Sequence, residues 1–122
     1  MDEIQHDGGL PSPVLITGAG GFIGSHLAEA CVARGLQVRA MVRYRSTGDA
    51  GWLDASPARD RIEIVQGDVR DMDSVRAAIA GCRSVLHLAA LIGIPYSYRT
   101  PLAYIRTNVE GTYNILEAAR WE

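Results

Sequence analysis

The chain has 122 residues, enough for one domain with a buried core and too few for two. Its residues are 48% apolar and its net charge is −2, an ordinary globular composition that offers no broad basic field to nucleic acid or a membrane surface. No apolar run approaches the ~18 residues of a membrane span, and the start lacks a secretory leader pattern, so no membrane partner and a cytoplasmic location are expected. All twelve basic residues are arginine. Residues 1–12 are polar, with Gly8, Gly9 and Pro11, and are expected to be a mobile tail before a domain at 13–122. Cys31 and Cys82 fall in apolar periodic segments, as buried free thiols of a reducing compartment do.

Residues 13–17 form a short apolar run that ends at a glycine cluster, which predicts a strand buried on both faces. A helical pattern follows, with Ile23, Leu27, Ala30, Cys31 and Arg34 on one face and Gly35 as its stop. Val38, Ala40 and Val42 alternate with Arg39, Met41 and Arg43 and predict a second strand. Residues 44–60 are a polar connection with a short helix near Trp52 and Leu53. Ile62, Glu63 and Ile64 predict a third strand that fades at Gly67. Asp71 is placed to cap a helix whose inner face is Met72, Val75 and Ile79, closed by Gly81. Residues 84–90, apolar almost throughout, predict a fourth strand. Thr100 and Pro101 open a last helix with Leu102, Ile105, Val109, Tyr113 and Leu116 on its core face.

Strands alternating with helices imply a parallel sheet with right-handed crossovers. The uniformly apolar first and fourth strands should be central, and the alternating second and third should lie toward an edge. That gives the order 3-2-1-4, half of a doubly wound, Rossmann-type α/β sheet. Ligands bind such sheets where the order reverses, between strands 1 and 4.

The chemistry concentrates in Thr17-Gly18-Ala19-Gly20-Gly21-Phe22-Ile23-Gly24, between the first strand and its helix. Gly18 permits the turn out of the strand, Gly21 leaves room for a pyrophosphate, and Gly24 lets the helix lie close to the sheet. The N–H groups at the helix start, Phe22 and Ile23 among them, then face the anion. The spacing Gly-x-x-Gly-x-x-Gly differs by one residue from Gly-x-Gly-x-x-Gly; its strand–helix context gives it weight.

With Gly67-Asp68-Val69, His87-Leu88-Ala89-Ala90 and Asn108-Val109-Glu110-Gly111-Thr112, this turn resembles the amino-terminal part of the extended short-chain dehydrogenase/reductase family. That family contains NAD-dependent nucleotide-sugar epimerases and 4,6-dehydratases. The segments 42–46, 51–53 and 90–98 are similar to those of bacterial nucleotide-sugar 4,6-dehydratases. The resemblance implies that Asp68 accepts from the adenine amino group, with Val69 on the ring. Leu88, Ala89 and Ala90 would line the nicotinamide side, and Asn108 would hold geometry near the active site. Tyr96, Ser97 and Tyr98 fall where family members approach the sugar. His87 reads as a satisfied core histidine rather than a catalytic one. A homodimer and a nucleotide-sugar substrate are further implications.

The dinucleotide itself stays open between NAD and NADP. No carboxylate ends the second strand, and Arg43 and Arg45 suit a 2′-phosphate, whereas the dehydratase resemblance implies retained NAD. Family catalysis needs a Tyr-x-x-x-Lys pair, which a chain without lysine lacks, so no catalytic residue and no metal ligand are assigned. A fragment of a longer nucleotide-sugar dehydratase or epimerase, inactive by itself, is the first expectation. An NADPH-dependent carbonyl reductase of the same family and a noncatalytic dinucleotide-binding module are the alternatives.

Overall fold

A computed structural model describes residues 10–43, 50–89 and 99–121. Four parallel strands, β1 (Val14–Thr17), β2 (Val38–Val42), β3 (Ile62–Gln66) and β4 (Ser84–His87), lie in the order β3-β2-β1-β4. β1 pairs with β2 from Val14 opposite Val38, and with β4 from Val14 opposite Ser84. The helices are α1 (Phe22–Ala33), α2 (Met72–Ile79), α3 (Pro101–Ile105) and α4 (Gly111–Trp121), with a π-turn at Arg106–Glu110 between the last two. Short 3-10 turns at Gly51–Ala55 and Arg59–Arg61 precede β3. The expected strand order is therefore the observed one, a Rossmann-type half-sheet.

The core has two layers, one on each face of the sheet. Val14, Ile16, Val38, Ala40 and Ile62 pack with Ala28, Cys31 and Val32 of α1. Leu15 and Met41 point the other way, to Val75 and Ile79 of α2 and Ile115 of α4. Both thiols are free and buried, and burial pushes the Cys31 thiol up from its ordinary value. Arg39, expected merely to alternate outward, ties β2 to the end of α2 and to β3. Its guanidinium donates to Ala78 O and Ala80 O, each 2.7 Å away at the end of α2, and to Glu63 on the neighbouring strand at 2.9 Å. A cation there suits the negative end of α2.

Helix ends follow local chemistry. Asp71 caps α2 by accepting from Asp73 N at 3.1 Å, as expected. α1 stops at Gly35, whose positive φ of 84° lets its N–H reach Val32 O while Leu36 N reaches Cys31 O.

Four expectations need correction. Residues 10–12 are not loose, because Leu10 packs on the core and Ser84 Oγ donates to Pro11 O; residues 1–9 lie outside the described residues. β4 ends at His87 rather than at residue 90, and its residues are half-buried rather than wholly buried. α1 buries Gly24, Ser25, Ala28, Cys31 and Val32, while Ile23 is 71% exposed. Small side chains let α1 close on β1, and that contact outweighs the apolar row. The last helix is likewise turned about its axis. Thr107, Gly111, Asn114, Ile115 and Ala118 face inward, and the expected core face of Leu102, Ile105, Val109, Tyr113 and Leu116 is 52–66% exposed. Gly111 explains this: a Cβ there would lie 2.6 Å from Val69 Cγ2, so only glycine permits the approach. Asn114 Nδ2 then donates to Val69 O at 2.9 Å and fixes the rotation.

Among the described residues, no helix is long and apolar enough to cross a membrane.

Candidate functional site

The described residues singled out by sequence gather at the carboxyl ends of the strands, with Asn108 on the π-turn of the last helix. Gly18 leaves β1 with φ +68°. A Cβ on it would stand 2.8 Å from Ala89 N and from the Leu88 carbonyl carbon, so the turn and the segment after β4 touch backbone to backbone. Gly21 N donates to Gly18 O at 3.2 Å, and Ser25 N to Gly21 O at 2.9 Å, which starts α1 directly above the turn. Gly24 lies tighter still, where a Cβ would come within 2.3 Å of Gly18 O.

Gly21 differs from these two. A Cβ there would meet only Gly18 O, at an ordinary 3.5 Å, so the protein itself does not require glycine at this position. As the N-cap of α1 it supplies no side-chain hydrogen bond, and the first turn has no acidic residue. Among the described residues, no side chain caps this helix start.

Gly20 meets the chain after β2. Its carbonyl accepts from Trp52 N at 2.9 Å, and a Cβ would lie 3.2 Å from Ala50 O. The Trp52 ring stands edge-on to Phe22 with centroids 5.1 Å apart, and both rings are exposed beside the turn. The sequence predicts only a short helix here; neither spacing nor residue type announces that Trp52 braces Gly20.

At the ends of β2 and β3 the charges are laid out. Arg43 is exposed, and its charge helps hold the Asp68 carboxyl low. The larger cause is Arg70, whose guanidinium takes both carboxylate oxygens at 2.5–3.0 Å and whose backbone N–H takes Oδ1 at 2.9 Å. Asp68 is therefore a carboxylate, an acceptor only, and it remains partly open to solvent. Val69 is buried against Gly111 with α2 and α4, so its side chain serves the core rather than an open ring-binding surface.

Between β1 and β4, Thr17 Oγ1 accepts from Leu88 N at 2.9 Å and from Ala89 N at 3.1 Å. It also lies 2.7 Å from His87 Nδ1, and His87 Nε2 lies 3.1 Å from Thr112 Oγ1. Thr112 in turn donates to Asn108 O, in the π-turn, at 2.8 Å. His87 is thus a satisfied histidine, and burial lowers its pKa. Thr17 and Thr112 stand inside the two motifs without a role that spacing reveals, because they meet His87 across 70 and 25 residues of chain. Arg45, Ala90, Tyr96, Ser97 and Tyr98 lie outside the described residues.

A cavity of about 400 Å³, lined by Pro13, Leu36, Val38 and Arg61 among others, opens at the opposite end of the strands. It touches none of these residues, and position at the switch point of the sheet outranks volume as a guide to the site.

Comparison with known proteins agrees with this geometry. UDP-glucuronate 4-epimerase 4 of Arabidopsis thaliana is 35% identical over 112 residues, covering 88% of this chain and 26% of that protein. Cinnamoyl-CoA reductase 1 of Oryza sativa subsp. japonica is 36% identical over 116 residues, covering 94% and 32%. The dTDP-glucose 4,6-dehydratase DesIV of Streptomyces venezuelae, solved with NAD bound, superposes with a TM-score of 0.74 at 28% identity, covering 87% of this chain and 35% of that one. The chain spans about a quarter to a third of the length of these relatives. Residues 15–122, which include nearly the whole four-strand unit, match the family model described as GDP-mannose 4,6 dehydratase, and the chain belongs to that family.

Proposed function

We propose that this chain is the dinucleotide-binding part, residues 13–122, of a cytoplasmic nucleotide-sugar 4,6-dehydratase or epimerase, and that its cofactor is NAD. The observation that carries this reading is the bare helix start above Gly21, at the reversal of strand order. There, Gly18, Gly20, Gly21 and Gly24 would leave room for the pyrophosphate, and the N–H groups of Phe22 and Ile23 would hold it. Asp68, kept ionised by Arg70, would accept from the adenine amino group. Arg43 would lie beside the adenine ribose, Leu88, Ala89 and Ala90 along the nicotinamide side, and Asn108 behind it. Tyr96, Ser97 and Tyr98 would approach the sugar.

Bound NAD would supply a reversible hydride acceptor for the sugar C4–H. In a dehydratase, which is a lyase, the C4 ketone would acidify the C5 proton, water would be lost across C5 and C6, and C6 would gain a hydride as C5 regained a proton. The 122 residues contain no lysine, so the Tyr-x-x-x-Lys pair is not among them, and these residues by themselves would bind without turnover. The exposed row on α3 and α4 supports a homodimer joined through this helix.

The exposed arginine after β2 favours a second reading, an NADP-dependent reductase of the same family. Titration calorimetry of the chain with NAD and with NADP decides between them. Heat of binding with NAD, weaker with NADP, is the expected result. Tighter NADP binding favours the reductase, and no heat with either refutes the cofactor assignment.

A further inference from the structure

The hydrogen bonds around His87 admit one arrangement of protons. Thr17 Oγ1 receives two backbone N–H groups, from Ala89 at 3.1 Å and from Leu88 at 2.9 Å, the latter shared with Thr17 O at 3.3 Å, and these occupy its lone-pair directions. Its own hydrogen must be donated, and His87 Nδ1 stands 2.7 Å away to take it. Nδ1 is then bare, and the ring proton sits on Nε2, 3.1 Å from Thr112 Oγ1. That oxygen is free to accept, because the Thr112 hydrogen is donated to Asn108 O. Every donor has an acceptor, and all the bonds beyond Thr17 run in one direction.

We propose that His87 is a positioning residue: fixed as the neutral Nε2–H tautomer, it carries a one-way hydrogen-bond chain from the end of β1 to the π-turn at Arg106–Glu110, and this chain seats Leu88 and Ala89 for the dinucleotide. The proposal rests on the cofactor reading above for what the seat receives. The chain joins three elements that the cofactor crevice needs in register: the strand that enters the glycine turn, the segment after β4, and the helix bearing Asn108. The Thr112 hydroxyl bonds back to the Asn108 carbonyl four residues earlier, which anchors the far end of the chain in the π-turn.

Acid should break the chain at its middle. An imidazolium bears a proton on both nitrogens, so Nδ1–H would face a Thr17 oxygen already accepting two N–H groups, and the Thr17 hydrogen would lose its acceptor. Among the described residues, the groups bonded to the ring are the hydroxyls of Thr17 on β1 and Thr112 on α4, and burial alone accounts for the lowered pKa. The sign follows. A folded value below the ordinary 6.5 means the unfolded chain binds the proton first. The contribution of His87 to stability is thus complete above that pH and is lost as pH falls through the lower folded value.

Long-range proton–nitrogen NMR on the ¹⁵N-histidine chain tests this, with the His87 signals identified by their loss in His87→Gln. The expected spectrum at neutral pH has a bare Nδ1 and a protonated Nε2. On acidification, the Leu88 and Ala89 amide signals should move with the His87 midpoint, and NAD affinity should fall with it. Thr112→Val removes both half-buried hydrogen bonds of the hydroxyl and should weaken NAD binding roughly fivefold or more, and Thr112→Ser should restore it. The opposite tautomer, or amides that ignore the His87 titration, would overturn the proposal. Coupled tautomer and amides in a chain that binds no NAD would uphold the hydrogen-bond chain and refute the cofactor reading instead.

Discussion

Gly24→Ala should destabilise the chain by a net ~2–3 kcal/mol, read as a lower urea midpoint at unchanged slope. Two effects compete. Alanine is the better helix former by about 1 kcal/mol. Against that, its Cβ would stand 2.3 Å from Gly18 O and 2.9 Å from Ala19 Cα. These are backbone atoms of a turn pinned to Leu88 and Ala89, so no side chain can swing aside. The clash wins, and α1 must lift from the turn, taking with it the packing of Ala28, Cys31 and Val32 on β1 and β2. A midpoint equal to that of the parent chain would show that α1 does not rest on Gly18.

Gly21→Val should do the reverse. Its backbone, φ −81° and ψ 174°, is extended and comfortable for valine, and a Cβ meets nothing closer than 3.5 Å. Stability should change by less than about 1 kcal/mol. Affinity for NAD should fall on the order of 100-fold, about 2.7 kcal/mol, because the isopropyl group stands where the pyrophosphate would meet the helix start. Calorimetry measures the second effect and urea unfolding the first. Undiminished affinity would put the ligand elsewhere. The pair of variants separates a glycine that the fold needs from one that only a ligand needs.

Much of this architecture was legible along the chain because it is local. Three apolar residues and a threonine before the glycine cluster read as a buried strand, and the alternation in β2 and β3 marks them as flanking it. Asp71 and Gly35 announce the ends of their helices by residue type alone. The inward faces of α1 and the last helix were not legible, and the reason is the same in both. Periodicity finds the row of large apolar residues, but these helices come closest to the sheet through Gly24, Ser25 and Ala28, and through Gly111 and Asn114. Close approach favours small residues, which carry little hydropathy signal. The site divides in the same way. The glycine turn and Asp68 could be found from motif and spacing, whereas Thr17, Thr112 and the Trp52 brace are contacts between distant segments. Arg70 lies two residues from Asp68, yet nothing in the pattern Asp-x-Arg foretells that it takes both carboxylate oxygens.

The outward row of Leu102, Ile105, Val109, Tyr113 and Leu116 has a thermodynamic corollary. Water is a poor neighbour for five large apolar side chains, so any apolar cover lowers the free energy of the folded form alone. If copies of the chain supply that cover, the melting temperature becomes a function of how much protein is in the tube: it should climb with each tenfold rise in concentration, and substituting Glu for Val109 should flatten the climb.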